Sequence, residues 1–308
     1  MNQPRQEKIQ TMFTRFFGKK GENDPTGLLV ANTQLKDPLS LEILFGGQLA
    51  LESATVTKAL RSLHRSLSGA QCEIDPTLSQ QGKIIGFAGW GKHVIRLVGF
   101  AQPMPAESVE FCVAPSHWPQ ALKEQARAHS GHVVLFYAGY DPEPLEQYVA
   151  LASVARVLAR LGGIVVLNEA AHTCMSAEVL ADPETKGDPV ELLRTLPLLM
   201  LYCGFVKYDV EGTEGVWMRT YGADRFGLPD FAILAASHDE GQKYFELFEN
   251  MLGYLRQSGA EFAAGHTMQV GEDTYLRLRQ PAKKEYFLES KGQLFVAELI
   301  GAKQINER

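Results

Sequence analysis

Residues 219–271 read RTYGADRFGLPDFAILAASHDEGQKYFELFENMLGYLRQSGAEFAAGHTMQVG, and this stretch decides how the second half of the chain is understood. A polar turn, Gly222 to Pro229, leads into the apolar run Phe231-Ala-Ile-Leu-Ala235, which has strand character. Asp239 then stands where a helix N-cap is expected. Tyr244, Leu247, Phe248, Met251, Leu252 and Leu255 recur at spacings of three and four, the period of one helix face. Gly259 follows that face as a stop. The pattern predicts a strand, a loop, a second strand and a long amphipathic helix.

The Phe226-Gly-Leu-Pro-Asp-Phe231 turn, that helix and the downstream Gly265-His-Thr-Met268 segment resemble a bacterial family known only as domain of unknown function 4261. Leu145–Leu161 and the strand-like Gly163-Ile-Val-Val-Leu167 resemble the segment that precedes it in the family, so the likeness covers about the second half of the chain. The family name carries no reaction. Its members resemble accessory proteins found beside secreted polymorphic toxins, which implies neutralisation of a toxin by binding.

Outward from this stretch, 308 residues suffice for two ordinary domains or one large one, and 45% apolar with 21% charged residues is the composition of a globular protein with a full core. The four cysteines, Cys72, Cys112, Cys174 and Cys203, form no C-x-x-C pair and read as reduced, buried thiols of a cytoplasmic protein. The N-terminus lacks a continuous apolar core of a signal peptide, and no run is long enough to cross a bilayer. Charge is uneven: residues 1–140 carry 14 Lys and Arg against 11 Asp and Glu, whereas residues 141–308 carry 16 against 25. An acidic second half disfavours nucleic acid and suits a basic protein partner.

Residues 1–27 comprise a basic amphipathic segment (Ile9, Met12, Phe13, Phe16, Phe17) and a Gly- and Lys-rich linker. Residues 28–140 then read as strand, helix, strand, strand, helix, strand: Leu41–Phe45, Glu52–Leu67, Gln71–Ile74 with Ile84–Phe87, His93–Val98, Pro119–Ala128 and His132–Tyr137. Residues 141–308 appear in a similar order, with a hairpin of Leu199–Val210 and Gly215–Thr220 around the acidic turn Glu211-Gly-Thr-Glu214, and three short strand patterns from Tyr275 to Ile300. A self-match pairs residues 98–117 with 221–238. The expected fold is therefore α+β, with two associated ferredoxin-like (βαββαβ) halves, pseudo-duplicated and joined by the buried helix Leu145–Leu161.

Catalytic signatures are thin. Ser116-His117 and Ser237-His238-Asp239 lack a nucleophile elbow, and their Ser and Asp read as helix caps. Glu169-Ala-Ala-His172 and His172-Thr-Cys174 offer two ligands each, too few for a metal, and no phosphate-cradling glycine motif occurs, so neither metal nor cofactor is expected. What remains is surface. Asp209, Glu211 and Glu214 on the predicted hairpin, with Asp224 and Arg225 on the neighbouring turn, are the expected contacts for a toxin bearing a basic surface. The function expected is that of a non-enzymatic immunity protein. The alternatives are an enzyme using Ser237, His238 or His172 in an inter-domain cleft, or a membrane or secretion adaptor using the first twenty residues.

Overall fold

The computed structural model describes residues 29–116, 118–182 and 187–305; the amphipathic segment, the linker up to residue 27 and His117 lie outside them. In chain order the elements are β1 (Ser40–Phe45), α1 (Ser53–Leu63), β2 (Gln71–Ile74), α2 (Pro76–Ser79), β3 (Lys83–Trp90), β4 (His93–Phe100), α3 (Ala106–Val113), α4 (Gln120–Arg127), β5 (Gly131–Tyr137) and α5 (Pro144–Arg160). There follow β6 (Gly163–Asn168), β7 (Thr173–Ser176), α6 (Ala177–Ala181), α7 (Pro189–Thr195), α8 (Leu198–Leu201), β8 (Gly204–Tyr208), β9 (Val216–Tyr221), β10 (Asp230–Ala235), α9 (Gly241–Ser258), β11 (Thr267–Gln269), β12 (Thr274–Arg279) and β13 (Leu294–Gly301). The protein is α+β, with one sheet in the order β2-β3-β4-β5-β1-β6-β7 and another in the order β11-β12-β13-β10-β9-β8.

Two compact units interleave along the chain: Met1–Ala106, Glu124–Val166 and Ser176–Thr195 form the first; Glu107–Lys123, Leu167–Met175 and Leu196–Arg308 form the second. In the first, β3 and β4 form a tight hairpin, Trp90 opposite His93, turned by Gly91 at a φ of +52 that suits glycine. α5 starts on Pro144, whose fixed φ suits a first helical turn. It is buried on every side from Tyr148 to Leu158, because it lies on β1, β4 and β5 and is covered by α1, α6 and α7. The sequence expectation is a bridge between two halves; apolar residues all round require burial on all sides, and these six elements packed on α5 belong to the first unit.

In the second unit the quoted stretch folds largely as its pattern predicts. β9, a 3-10 turn and β10 lead to α9, whose buried Tyr244, Phe248, Met251, Leu252 and Leu255 cover the sheet. Gly259 ends the helix in the left-handed region at φ +65. Asp239 is not the N-cap of α9; the 3-10 turn His238–Glu240 intervenes. The opposite face of the sheet is covered by the segment after β12, through a cluster of Trp217, Ala232, Leu288, Leu294 and Val296.

The ferredoxin-like plan is not what the strand orders show. In the first sheet β1 pairs antiparallel with β5, which in turn pairs antiparallel with β4. In the second, β10 pairs in parallel with β13 and antiparallel with β9. Alternation in sequence reveals that a strand exists, not which neighbour it takes. The self-match also fails in structure: Phe111–Val113 ends helix α3, while its supposed counterpart, Phe231–Leu234, is a strand. The run from Leu199 begins as the short helix α8, and the middle of the three late strand patterns is a 3-10 segment, Lys283–Leu288.

Candidate functional site

The β8–β9 turn carries Asp209, Glu211 and Glu214, all exposed, with Gly212 at φ +78 making the bend. Register sets what lies beside them. Tyr208 is opposite Trp217, and Val216 opposite Ala235, so the loop after β10 shares this end of the sheet. His238 from that loop approaches Asp209, Nε2 to Oδ1 at 3.2 Å. Asp239 is exposed beside it, and Glu240 is held by the Ala236 N–H at 2.8 Å and by Lys243 Nζ at 3.0 Å. The Ala236 hydrogen bond, followed by Lys243, lowers the Glu240 carboxyl, so it stays ionised. Five carboxylates therefore gather at one end of the sheet.

Asp224 and Arg225 are not part of this group. They sit on the 3-10 turn after β9, at the opposite end of that six-residue strand, roughly 20 Å away at the usual rise per residue. Asp224 is half-buried, and its Cβ packs so near Gly292 that a Cβ there would be 2.6 Å from it. The expectation that their turn neighbours the acidic hairpin is corrected by strand direction, since β9 carries the chain to the other end of the sheet.

That second end holds a buried polar network. Asp230 accepts hydrogen bonds from Thr220 Oγ1 at 2.8 Å, Ala223 N–H at 3.3 Å and Ser290 Oγ at 3.2 Å. Burial nevertheless raises its carboxyl to about 6. Arg219, fully buried, donates through Nη1 to the Glu289 carbonyl at 3.1 Å and through Nε to that of Thr220 at 3.2 Å. Its guanidinium lies 3.7 Å from the centre of the Tyr221 ring. His172 stacks on the Tyr221 ring at 4.0 Å and 12°, and meets Phe111 at 3.9 Å. Desolvation, then the charge of Arg219, lowers His172 to about 4 and keeps it neutral.

These contacts account for the residues weighed as catalysts or ligands. His172 follows a 3-10 turn at φ +52, so Glu169 and His172 do not share a helical face, and the imidazole serves an aromatic stack. Ser237 Oγ accepts the Asp239 N–H as a cap, while His238 turns to Asp209 instead. Ser116 is buried, donates to the Val113 carbonyl and lies 3.4 Å from Cys174 Sγ. Among the described residues no three His, Cys, Asp or Glu side chains converge as a metal set, and no helix is long and apolar enough to cross a membrane. Sequence reading missed the buried pair Arg219 and Asp230. Their signal, charges placed inside an otherwise apolar strand pattern, was present at 217–221 and 230–235.

The second unit thus holds a mixed sheet with α9 on one face and a looped segment on the other. Residues 219–293 match the family model DUF4261, a domain of unknown function. The buried network joins the two ends of that matched segment, Arg219 to Glu289 and Asp230 to Ser290. Neither the curated proteins nor the solved structures contain a match to the chain.

Proposed function

We propose that this protein is a cytoplasmic immunity protein, whose second unit neutralises a secreted bacterial toxin by binding, without catalysis, through the acidic end of its six-stranded sheet. The observation that carries the reading is the gathering of Asp209, Glu211, Glu214, Asp239 and Glu240 around the β8–β9 turn. Clustered carboxylates raise the encounter rate with a basic surface and discriminate against acidic ones. Pairing is strongest where an Arg of the partner meets a carboxylate bidentately. The DUF4261 segment supports the reading through the toxin-associated setting that the resemblance implies. Asp224, at the other end of β9, packs against Gly292 and stands apart from this group.

The test is a tagged pull-down from the native bacterium, with mass spectrometry of any protein recovered in near-equal amount. The expected partner kills cells when expressed alone and is silenced by co-expression of this chain. A partner without toxicity, or toxicity that this chain leaves untouched, overturns the reading.

A further inference from the structure

In the first unit, α1 ends at His64, whose extended backbone (φ −160) starts the three-residue 3-10 turn Arg65–Leu67. Ser66 Oγ lies 2.8 Å from His64 Nδ1, and the Ser66 N–H also reaches that nitrogen at 3.2 Å. A nitrogen that accepts an N–H carries the lone pair, so the ring proton belongs on Nε2. His64 Nε2 is 2.9 Å from Asp188 Oδ2. The other carboxylate oxygen of Asp188 accepts the Val190 and Glu191 N–H groups at 2.9 and 3.2 Å, which fixes the group at the start of α7. Slight desolvation raises the Asp188 carboxyl, but those hydrogen bonds outweigh it and hold it below its ordinary value.

The line Ser66 O–H to His64 to Asp188 is the order of donors and acceptors that activates a serine: a hydroxyl, a base in reach of its proton, and a carboxylate that orients the base. Ser66 also opens on a cleft of about 290 Å³, with Leu67, Trp90 and Val149 as apolar wall and Lys92 and His93 as polar groups. We propose that the first unit is an acyl-ester hydrolase site, with Ser66 as nucleophile, His64 as general base, Asp188 as positioning residue, and a small carboxylic ester as substrate. This activity is independent of toxin binding by the second unit.

The step balances within the groups present and water. Ser66 Oγ bonds to the ester carbonyl carbon as its proton passes to the Nδ1 lone pair of His64, displacing the Ser66 N–H from it. The carbon–alkoxide bond breaks, and the alcohol leaves with that proton. Water then attacks the acyl-serine, giving one proton to His64, which returns it to Ser66 as the acid departs. Tyr137 Oη accepts the Asp141 N–H at 3.1 Å and lies 3.3 Å from His93 Nδ1, so its proton is available to that nitrogen. His93 then presents Nε2–H as a neutral donor; desolvation lowers its pKa against the opposing carboxylates of Asp141 and Glu146. Lys92 and His93 line the cleft that Ser66 also lines, and are the groups there that can donate to an oxyanion.

The experiment uses the full chain, a fluorophosphonate probe and p-nitrophenyl acetate. A single adduct on Ser66 by peptide mass spectrometry is expected, with ester turnover lost in S66A. H64Q should slow both reactions on the order of 100-fold. D188N retains the α7 cap, because Asn also accepts N–H groups, and should lower kcat about 10-fold with KM unchanged. Turnover in S66A equal to that of the unaltered chain, or a folded chain that takes no probe, overturns the proposal. So does a D188N effect confined to thermal stability. Toxin neutralisation by S66A should equal that of the unaltered chain, which separates this test from that of the binding reading.

Discussion

The Thr220 hydroxyl donates to the Asp230 carboxyl at 2.8 Å inside the second unit, yet this bond does not keep the acid strongly acidic. Burial raises Asp230 from 3.8 to about 6, so between those values the folded chain holds a proton that the unfolded chain releases. Stability should therefore fall as pH rises from about 4 to about 6, by on the order of 3 kcal/mol for this group alone. D230N retains an acceptor for Thr220 and cannot titrate. Denaturant unfolding at pH 4.5 and 7.5 should show that slope reduced in D230N; an unaltered slope contradicts it.

His172 acts in the opposite sense. Its pKa is lowered from 6.5 to about 4, so the unfolded chain binds protons that the folded chain refuses. Its contribution is present in full above about 6.5 and is lost as pH falls towards 4. In H172N the residue tolerates the positive φ, but the rings of Phe111 and Tyr221 lose their stacking partner, a loss of about 1–2 kcal/mol at pH 7. Acid sensitivity near pH 5 should fall in this variant. Thermal melts across pH 4.5–7.5 would read both effects.

Gly204 opens β8 with its Cα against the Ala171 carbonyl, where any Cβ would overlap backbone. G204A is expected to cost about 3 kcal/mol or more, since neither main chain can give way. Chemical denaturation measures it, and a change below about 1 kcal/mol would refute the close approach.

Glu285 anchors the covering segment of the second unit. Its carboxylate makes two bonds of 2.7 Å to Arg279 and accepts the Ala282 N–H at 2.7 Å. Arg279 first, then Ala282, holds its pKa below the ordinary value against desolvation. E285A should lower stability by about 1–3 kcal/mol at neutral pH, because Arg279 loses two charge-assisted hydrogen bonds while it keeps Glu298 at 2.6 Å. For the same reason the pair's contribution is present above the usual glutamate range and is lost as pH falls through the lowered value.

Charge reversal separates the two ends of β9. Asp209→Lys, Glu211→Lys and Glu214→Lys together should leave the melting temperature nearly unchanged and weaken a basic partner at least 10-fold, mainly through slower association. D224K should instead reduce stability, because its carboxylate stem packs on Gly292, with little effect on partner affinity. Calorimetry and surface-plasmon kinetics distinguish these. Equal affinity in the triple variant removes the β8–β9 turn from the contact.

Periodicity found the elements that rest on short-range pattern: α9 with its glycine stop, α5, the β3 and β4 strands and the Phe231–Ala235 strand. The self-match misled, since Phe111–Val113 ends a helix where its supposed counterpart, Phe231–Leu234, is a strand. Of the candidate contacts, Asp209, Glu211 and Glu214 stayed together because a hairpin turn is local. Asp224 and Arg225 did not join them, since a strand of six residues carries the chain to the other end of the sheet.

By itself the sequence determined that this is an α+β chain with an acidic second half, because burial period and charge are written residue by residue. Tertiary structure alone decided strand order, the burial of Arg219 beside Asp230, and the meeting of His64 and Ser66 with Asp188, more than a hundred residues away. The physical reason is the same in each case. Hydrogen bonds and ion pairs act over about 3 Å in space, and no spacing along the chain reports which distant segments folding brings that close.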